Sequence, residues 1–430
     1  MIKQKIIVSG PALSQTGYGE QCRFALRALL TREDLFDVYL KPTEWGNSSW
    51  LLPTDDDRRW IDILISKTAF HLQQQGGFDI SLQVTIPNEW EKLAPVNIGY
   101  TAGIETTRVA PVWIEKSYLM DRIITISQHS KNVFAETVYD ATKRDTGESI
   151  KVRCNTPIDV VHYPVRHFAP KEINLNLTHD FNFLAMAQWG PRKNLDNTIK
   201  WWVEEFMHED VGLVVKTNLF KTSLVDRVHT EVRLKNLLNQ FPSDRKCKVY
   251  LLHGNLSNGE LVSLYTHPQV NCLVSLTHGE GFGLPLFEAA YNGLPIIAPS
   301  WSGHKDFLHA PKKIRKKNKK TVTKLQPHFS KVKYSLMPVS PDAVWEGVVQ
   351  PDAMWCYADE ESYKSEIRKV FNRRNDASFR KDAKNLQNWI LDNFKEEDLY
   401  KKFVDCIPLP QIEDLDSWFE ELSGQVVEHT

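Results

Sequence analysis

Short apolar, strand-like segments alternate with amphipathic helical segments through most of the chain. KIIVSG, residues 5–10, is followed by EQCRFALRALL, whose apolar residues recur at helical spacing. Further strand candidates in the first half are FDVYLKP, FDISLQV, VNIGYTAG, DRIITISQ and IDVVHYPV. Strands that alternate with helices form a parallel sheet with helices on both faces. The pattern therefore predicts a fold of the α/β class.

The alternation pauses once and then starts again. RHFAPKEINLNLTHD, residues 166–180, is polar and without a clear period, so it is interpreted as a linker. Beyond it, FNFLAMAQ and QVNCLVSL are strand candidates, LDNTIKWWVEEF is a helix, and Ser257 with Glu260 fits a capping box. Two such runs predict two Rossmann-like domains that face each other.

Composition narrows the protein class. The chain has 430 residues, of which 42% are hydrophobic and 25% charged, enough for two or three domains with a large core. Its six cysteines form no CxxC pair, which favours reduced thiols over a disulfide framework or a zinc site. No apolar run approaches the roughly 18 to 20 residues of a membrane helix. The first residues lead directly into a strand, so we expect a cytoplasmic protein without a signal peptide.

HGEGFGLPLFEAAYNGLP, residues 278–295, contains two glutamates, Glu280 and Glu288, with seven residues between them. We expect a buried strand before this stretch, a glycine turn around Glu280, and a helix that opens at Leu284 and Pro285. Ligands of open α/β sheets bind outside the carboxyl ends of the strands, and free N–H groups at a helix start suit an anion. The spacing of the two glutamates is not specific by itself, because exposed glutamates at such a spacing are common.

The longer stretch EGFGLPLFEAAYNGLPIIAPSWSGHKDFL closely resembles the donor-binding segment of retaining glycosyltransferases of the family-4 type. Those enzymes have the GT-B fold, in which two Rossmann-like domains face each other across a cleft. The resemblance implies that Glu288 holds the ribose of a nucleotide sugar. It also implies that the donor sugar is held by Glu280 and by the backbone of Gly281, Phe282, Gly283 and Leu284.

The same resemblance gives each part of the chain a role. Residues 1–168 are expected to form the acceptor-side domain, and residues 176–393 the nucleotide-sugar-binding domain. Residues 394–430 are expected to include a helix, around 394–425, that packs back on the first domain. Its contact residues would be Phe394, Tyr400, Phe403 and Trp418.

Two further segments resemble parts of the family's diphosphate site. In AQWGPRKNLDN, Lys193 matches a lysine that neutralises the leaving diphosphate, while Gln188 occupies the usual arginine position and Arg192 is expected to serve instead. Fixed cations aimed at a departing phosphate lower the reaction barrier. SGPALSQTGYGEQ resembles the first loop of the family, so Gly17 and Gly19 are expected to face the diphosphate.

VNIGYTAGIETTRVAPVW resembles a subset of these enzymes in which a Glu-Thr pair follows a strand that ends at the cleft. Glu105 is therefore a candidate catalytic residue, with Thr106 beside it. Four roles stay open for Glu105: a base, a group that orients the acceptor, a contact to the sugar, or a structural residue.

The resemblance also implies a mechanism and a donor. In retaining enzymes of this kind the leaving phosphate oxygen helps to take the acceptor proton, so no acid–base carboxylate pair of the hydrolase kind is needed. No DxD-like motif stands at a strand end, so we expect no metal and no cofactor other than a nucleotide-sugar donor. UDP-sugar is favoured over GDP- or ADP-sugar. The alternatives are an α-glucan synthase- or phosphorylase-like enzyme, or a silent sugar- or nucleic-acid-binding module; no obligate protein partner is indicated.

A strongly basic segment follows the donor stretch. From Phe307 to Pro341 the chain has ten Lys or Arg and no Asp or Glu. Because the whole chain has a net charge of −1, these ten positive charges leave −11 for the remainder. The segment falls where similar enzymes have a short connection, so it is interpreted as an insertion. The candidate polyanion-binding residues are Lys312, Lys313, Arg315, Lys316, Lys317, Lys319 and Lys320.

Three interpretations of this basic segment are open: a solvated loop, a contact to an anionic membrane, and a contact to nucleic acid. The favoured acceptor is a hydroxylated base in DNA, such as 5-hydroxymethylcytosine, as in DNA-modifying enzymes of phages. A membrane contact is less favoured, because no amphipathic docking helix is evident in the first domain. A glycan or a lipid-linked sugar is the alternative acceptor.

Overall fold

The computed structural model describes residues 3–143, 145–315, 321–376 and 378–409. The architecture over these residues is α/β, with two separate parallel sheets and several short antiparallel hairpins. The predicted fold class is therefore confirmed.

The first sheet has six strands, and each neighbouring pair is parallel, in the order β2-β1-β3-β4-β5-β8. The strands of this half are β1 (Gln4–Gly10), β2 (Phe36–Pro42), β3 (Ile80–Val84), β4 (Val96–Thr101), β5 (Arg122–Thr125), β6 (Val138–Thr142), β7 (Ser149–Arg153) and β8 (Ile158–Val160). The helices are α1 (Gly17–Leu30), α2 (Arg58–Gln73), α3 (Pro111–Ser117) and α4 (Gln128–Glu136). β6 and β7 form an exposed hairpin that the sequence did not suggest.

The second sheet also has six strands, in the order β11-β10-β9-β12-β13-β16. The strands of this half are β9 (Asn182–Met186), β10 (Gly212–Lys216), β11 (Lys248–Leu252), β12 (Val270–Val274), β13 (Ile296–Pro299), β14 (His309–Arg315), β15 (Thr321–Pro327), β16 (Ser330–Val332), β17 (Tyr334–Pro338) and β18 (Met354–Ala358). The helices are α5 (Leu195–Phe206), α6 (Leu224–Leu238), α7 (Asn258–Thr266), α8 (Leu284–Tyr291), α9 (Lys305–Leu308), α10 (Glu360–Asn372), α11 (Lys381–Asn393) and α12 (Glu396–Asp405).

The strand order of the second sheet fixes where a ligand can bind. β9 and β12 are neighbours, although α5, β10, α6, β11 and α7 lie between them in the chain. The chain thus winds to one side of β9 and then crosses to the other. In open α/β sheets the crevice at this switch point receives the ligand, outside the carboxyl ends of the strands.

The strands are apolar because both faces of each sheet are covered. All five residues of β3 are buried, and so are four of the five residues of β9. Apolar burial of this kind is the main favourable term in folding. It also explains why the alternation of strands and helices could be predicted from the sequence.

The basic segment is not a loop over its described residues. β14 and β15 pair in an antiparallel hairpin, and β16 then joins the edge of the second sheet next to β13. Lys316, Lys317, Lys319 and Lys320 lie outside the described residues. The interpretation of the segment as a solvated loop is therefore wrong for its paired strands.

The C-terminal part of the described chain returns to the first domain. The rings of Tyr400 and Phe403 on α12 lie 5.6 and 5.3 Å from the ring of Phe24 on α1. The backbone N–H of Val165 donates to the carbonyl of Phe394, which follows α11. α12 ends at Asp405, so the single helix expected over residues 394–425 is not formed in the described part. Trp418 lies outside the described residues.

Among the described residues, no helix is both long enough and apolar enough to cross a membrane.

Candidate active site

The donor-like stretch forms the predicted strand, turn and helix. β12 ends at Val274, and α8 begins at Leu284 with proline in its first turn. Gly283 has a φ of 97° immediately before the helix, a backbone conformation that favours glycine. Gly293 has a φ of 75° after the helix, so the predicted helix end at Asn292 and Gly293 is also confirmed.

Glu280 is fixed in the turn through its backbone. Its N–H donates to Ser302 Oγ at 2.8 Å, and its carbonyl accepts the N–H of Gly303 at 2.9 Å. Ser302 is buried and has a φ of 68°, a strained conformation for a residue with a side chain. Such strain is retained where the surrounding structure requires it, commonly at functional sites. The sequence reasoning missed Ser302; its signal was the serine before glycine in SWSGH.

The carboxylate of Glu280 receives the two predicted cations. Lys193 Nζ lies 2.6 and 2.7 Å from the two carboxylate oxygens, and Arg192 Nη1 lies 3.3 Å from Oε2. Arg192 and Lys193 lie in a short 3₁₀ turn, Pro191–Lys193, that follows β9. The turn after β9 therefore meets the turn after β12, which is the switch point of the second sheet.

Glu105 joins this cluster from the opposite domain. Its Oε1 lies 3.2 Å from Arg192 Nη1, which also donates to the carbonyl of Gly279 at 2.6 Å. A Cβ at Gly279 would overlap the backbone of Glu105, so glycine allows the two domains to approach here. The cluster thus contains two carboxylates and two cations and joins both walls of the cleft.

The charges of Glu280 and Arg192 follow from their burial and from the oppositely charged groups beside them. Burial alone would raise the pKa of the Glu280 carboxyl, but Lys193 and Arg192 outweigh burial and lower this pKa to about 2. Burial alone would lower the pKa of Arg192, whereas Glu105 and Glu280 raise it. Glu280 is therefore ionised and Arg192 is a cation at neutral pH.

Glu288 lies apart from this cluster, one helical turn or more beyond the start of α8. Its Oε2 accepts the hydroxyl of Tyr265 at 2.8 Å, and the same hydroxyl lies 3.2 Å from Met186 Sδ at the end of β9. Burial raises the pKa of Glu288 to about 7. Tyr265 was not predicted, because its partner is 23 positions away in the chain.

We expect the Glu288→Gln variant to have a weaker pH dependence of stability than the wild type. In the unfolded chain this carboxyl ionises near its ordinary pKa of about 4.3, whereas in the folded protein it ionises at about 7. The unfolded state therefore loses the proton first, so the wild type loses stability as the pH rises between these values, by about 1–3 kcal/mol. Urea unfolding at about pH 5 and about pH 8 measures this loss.

The exposed Glu361 on α10 provides the matched control, because Glu361→Gln removes a carboxyl that is not buried. The Glu361 variant should keep the difference in unfolding free energy between the two pH values. If Glu288→Gln also keeps the full difference, the burial of Glu288 does not control its ionisation.

The first glycine loop agrees only partly with its expected role. Gly17 is exposed, and a Cβ there would meet no atom within 4 Å. Gly19, by contrast, is buried, and its N–H donates to Thr16 Oγ1 at 3.3 Å. A Cβ at Gly19 would overlap the carbonyl oxygen of Ser14. Packing and helix capping therefore account for Gly19 in this structure, and its expected backbone contact to the diphosphate stays a prediction, whereas Gly17 is open to a ligand.

The remaining candidates are placed as follows. Gln188 is exposed, and its amide donates to the carbonyl of Leu219 at 2.8 Å. The ring of Phe282 is 2% exposed and packs on Phe287, so only its backbone can face a ligand. Leu284 is half-buried at the start of α8.

Lys216 is a cation at the same sheet edge that the sequence reasoning missed. It ends β10, next to the end of β9, and its Nζ donates to the carbonyl of Gly254 at 2.7 Å. Burial lowers its pKa to about 8. A lysine at the end of an apolar strand was the only signal, and many such lysines are simply exposed.

The described basic residues are mostly exposed. Lys313, Lys324, Lys331 and Lys333 are exposed, while Lys312 is half-buried and pairs with Asp382 at 2.9 Å. Lys312 lies directly opposite Lys324 in the hairpin. Like charges directly opposite each other destabilise a hairpin, and the ion pair of Lys312 with Asp382 offsets part of this repulsion.

Comparison with known proteins agrees with this architecture. Residues 170–321 match the profile of the family described as Glycosyl transferases group 1. No curated protein sequence matches the chain. A sucrose-phosphate synthase from Thermosynechococcus elongatus has a similar structure, with a TM-score of 0.56 at 13% identity over 98% of this chain and 100% of that one.

Two other solved structures extend the comparison. A structure described as trehalose-6-phosphate from E. coli, bound with UDP-2-fluoro glucose, has a TM-score of 0.55 at 10% identity over 95% of this chain and 100% of that one. A mutant of S. aureus TarM has a TM-score of 0.44 at 14% identity over 76% of this chain. The chain spans 55% of the length of that TarM structure. The chain therefore has the GT-B fold, and its residues 170–321 match the family described as Glycosyl transferases group 1.

Proposed function

We propose that the chain transfers a sugar, with retention of configuration, from a nucleoside diphosphate sugar to an acceptor hydroxyl. One observation carries the proposal: Lys193 and Arg192 meet Glu280 at the carboxyl edge of the second sheet, beside Glu105 of the first domain. This edge is where open α/β sheets bind ligands. Fixed cations at this edge suit a diphosphate leaving group.

The sugar, the diphosphate and the ribose of the donor each have a counterpart in the site. We assign the sugar to Glu280 and the backbone after it, the diphosphate to Lys193, Arg192 and the open loop at Gly17, and the ribose to Glu288. A carboxylate accepts two hydroxyl hydrogen bonds, which matches the pair of hydroxyls on a ribose. The similar E. coli structure is described with UDP-2-fluoro glucose, which favours a UDP-sugar as the donor.

The chemistry then needs few groups from the protein. The leaving phosphate oxygen takes the acceptor proton while the sugar passes through an oxocarbenium-like state, and the two cations stabilise the charge that grows on the phosphate. We assign Glu105 to the orientation of Arg192, because its carboxylate lies 3.2 Å from that guanidinium. On this assignment Glu105 acts through Arg192 and is a positioning residue.

For the acceptor we propose a hydroxylated base in DNA. Exposed lysines on the hairpin and on the neighbouring strand support this choice, because DNA binding depends on cations that neutralise phosphates. Val332 pairs with Pro299, the last residue of β13, so the exposed Lys333 lies at the carboxyl edge of the second sheet. A DNA backbone that follows this edge passes both Lys333 and the cleft.

The acceptor proposal predicts the salt dependence of DNA binding. Replacing the exposed Lys313, Lys324 and Lys333 by alanine should reduce the slope of log affinity against log salt by about 2–3, since each lost phosphate contact contributes about 0.9. Fluorescence anisotropy with a labelled duplex between about 50 and 200 mM salt measures the slope.

The matched control replaces three exposed lysines elsewhere, Lys92, Lys200 and Lys246. This control should leave the slope unchanged. Equal slopes in both triple variants, or no salt-dependent DNA binding by the wild type, would exclude DNA and leave a glycan or a lipid-linked sugar as the acceptor.

A further inference from the structure

A cavity of about 450 Å³ lies between the two domains, and none of its lining residues is among those assigned above to the donor. The first domain contributes Gln15, residues 48–50 and Leu52, and the second domain contributes residues 221–223 and Asn255. Two hydrogen bonds join the domains at this cavity, because Ser49 Oγ lies 3.0 Å from both Thr222 Oγ1 and the backbone N of Thr222. The cavity therefore depends on the approach of the two domains.

The position of this cavity connects it with the proposed reaction. Gln15 lies two residues before Gly17 in the first loop. On the other side, the loop after β10 that contains Lys221 also contacts Gln188 through the carbonyl of Leu219. The cavity thus shares its walls with the two loops that flank the proposed diphosphate site.

The cavity is lined by apolar surface, by amide groups and by one cation. Trp50 and Leu52 are 50% and 51% exposed and offer an aromatic and an aliphatic surface. Gln15 Oε1 is buried and has no hydrogen-bond partner among the described residues. An unpaired buried carbonyl oxygen is costly, and rotation of the Gln15 side chain would bring it to a ligand N–H or O–H in the cavity. Asn255 adds an exposed amide, Lys221 adds a cation, and none of the lining side chains is acidic.

We propose that this cavity holds the pyrimidine base of the DNA acceptor, displaced from the helical stack. The inference rests on the proposed function and names the acceptor site for it. A displaced base is held by stacking on aromatic and apolar side chains and by hydrogen bonds to its edge. Trp50 and Leu52 supply the stacking surface. Asn255 and a rotated Gln15 amide supply the hydrogen bonds to the edge of the base, and Lys221 faces an adjacent phosphate.

The charges along the sheet edge fit the same arrangement. Lys221 follows β10, and Lys333 follows β16, four strands further along the second sheet. Neighbouring strands are about 4.8 Å apart, so the ends of β10 and β16, beyond which these lysines lie, are separated by about 19 Å along the sheet. One turn of DNA spans about 34 Å. A single DNA segment can therefore contact both lysines while one base enters the cavity.

The test compares two single-stranded oligonucleotides, one with a central 5-hydroxymethylcytosine and one with an abasic site at that position. The wild type should bind the first about 10-fold more tightly, which is the size of one base–aromatic stack. Trp50→Ala should bring this ratio close to one, whereas Trp50→Phe should keep most of it. Trp345→Ala is the matched control, because Trp345 is 59% exposed and does not line the cavity.

Affinities are measured by anisotropy at one fixed salt concentration, and circular dichroism confirms that each variant is folded. A ratio of one in the wild type, or an unchanged ratio in Trp50→Ala, would overturn the assignment of the cavity. Displacement of the oligonucleotide by a maltooligosaccharide but not by hydroxymethyldeoxycytidine would also overturn it. A base-dependent ratio without any sugar transfer would instead contradict the proposed function and leave the base-binding cavity in place.

Discussion

Replacing Lys193 by methionine should lower the turnover of the nucleotide sugar by about 10²- to 10³-fold, the effect of removing one group that stabilises charge in a transition state. Donor affinity should fall much less, because the charge on the diphosphate grows as the bond to the sugar breaks. The position of Lys193 supports this expectation, since its Nζ lies 2.6 and 2.7 Å from the oxygens of Glu280. Methionine keeps most of the unbranched, apolar part of the lysine side chain and removes its ammonium group, with both the charge and the N–H donors.

Steady-state release of the nucleoside diphosphate measures turnover, and calorimetric titration measures donor affinity. Lys200 on α5 provides the matched control, because it is an exposed lysine of the same domain. Lys200→Met should leave both quantities unchanged. Equal losses of turnover and affinity in Lys193→Met would assign Lys193 to ground-state binding, and an unchanged turnover would remove it from the diphosphate site.

Gly303→Ala should destabilise the protein by about 1–3 kcal/mol, because extra atoms in a packed site force backbone shifts. A Cβ at this position would overlap the carbonyl oxygen of Gly281 and approach the carbonyl of Glu280. The shift falls on the turn that carries the proposed sugar contacts, so donor affinity should also fall, by about 10-fold if about 1.4 kcal/mol of binding free energy is lost.

Gly77→Ala separates this effect from a general effect of glycine substitution, because a Cβ at Gly77 would meet no atom within 4 Å. That variant should change stability by no more than about 0.5 kcal/mol. Urea unfolding and calorimetric titration of the donor measure the two effects. A Gly303→Ala variant as stable as Gly77→Ala, with normal donor affinity, would show that the turn does not require close packing.

The sequence predicted the two parallel sheets because buried parallel strands are almost continuously apolar and stand out between polar helices. It also predicted the turn and helix around Glu280 and Glu288, whose signals are local glycines and a proline. The contact between Lys193 and Glu280 could not follow from local pattern, since 87 positions separate the two residues. That contact depends on β9 and β12 being neighbours, which is a property of the strand order.

The hairpin in the basic segment was not predicted from the sequence. The ten positive charges of this segment suggested a solvated insertion or a surface that binds polyanions, whereas the described residues pair as β14 and β15. β-Branched residues such as Thr321, Val322 and Thr323 were the available strand signal. The interpretation of this segment relied on its net positive charge, but net charge indicates which partners a protein can bind and does not indicate its fold. The single helix expected over residues 394–425 was wrong although the sequence contains a stop signal, because Pro408 follows the end of α12 at Asp405 by three residues.

The central claim is that the chain uses a nucleotide sugar at the edge where Lys193, Arg192 and Glu280 meet. The most direct test is to incubate the wild type separately with UDP-, GDP- and ADP-sugars and with hydroxymethylated DNA, and to follow the nucleotides and nucleosides by mass spectrometry. We expect release of a nucleoside diphosphate from one class of donor, with UDP-sugar favoured, together with a hexose added to the hydroxymethylated base. Intact donors throughout the panel, with no release of nucleoside diphosphate by the wild type with or without DNA, would contradict it.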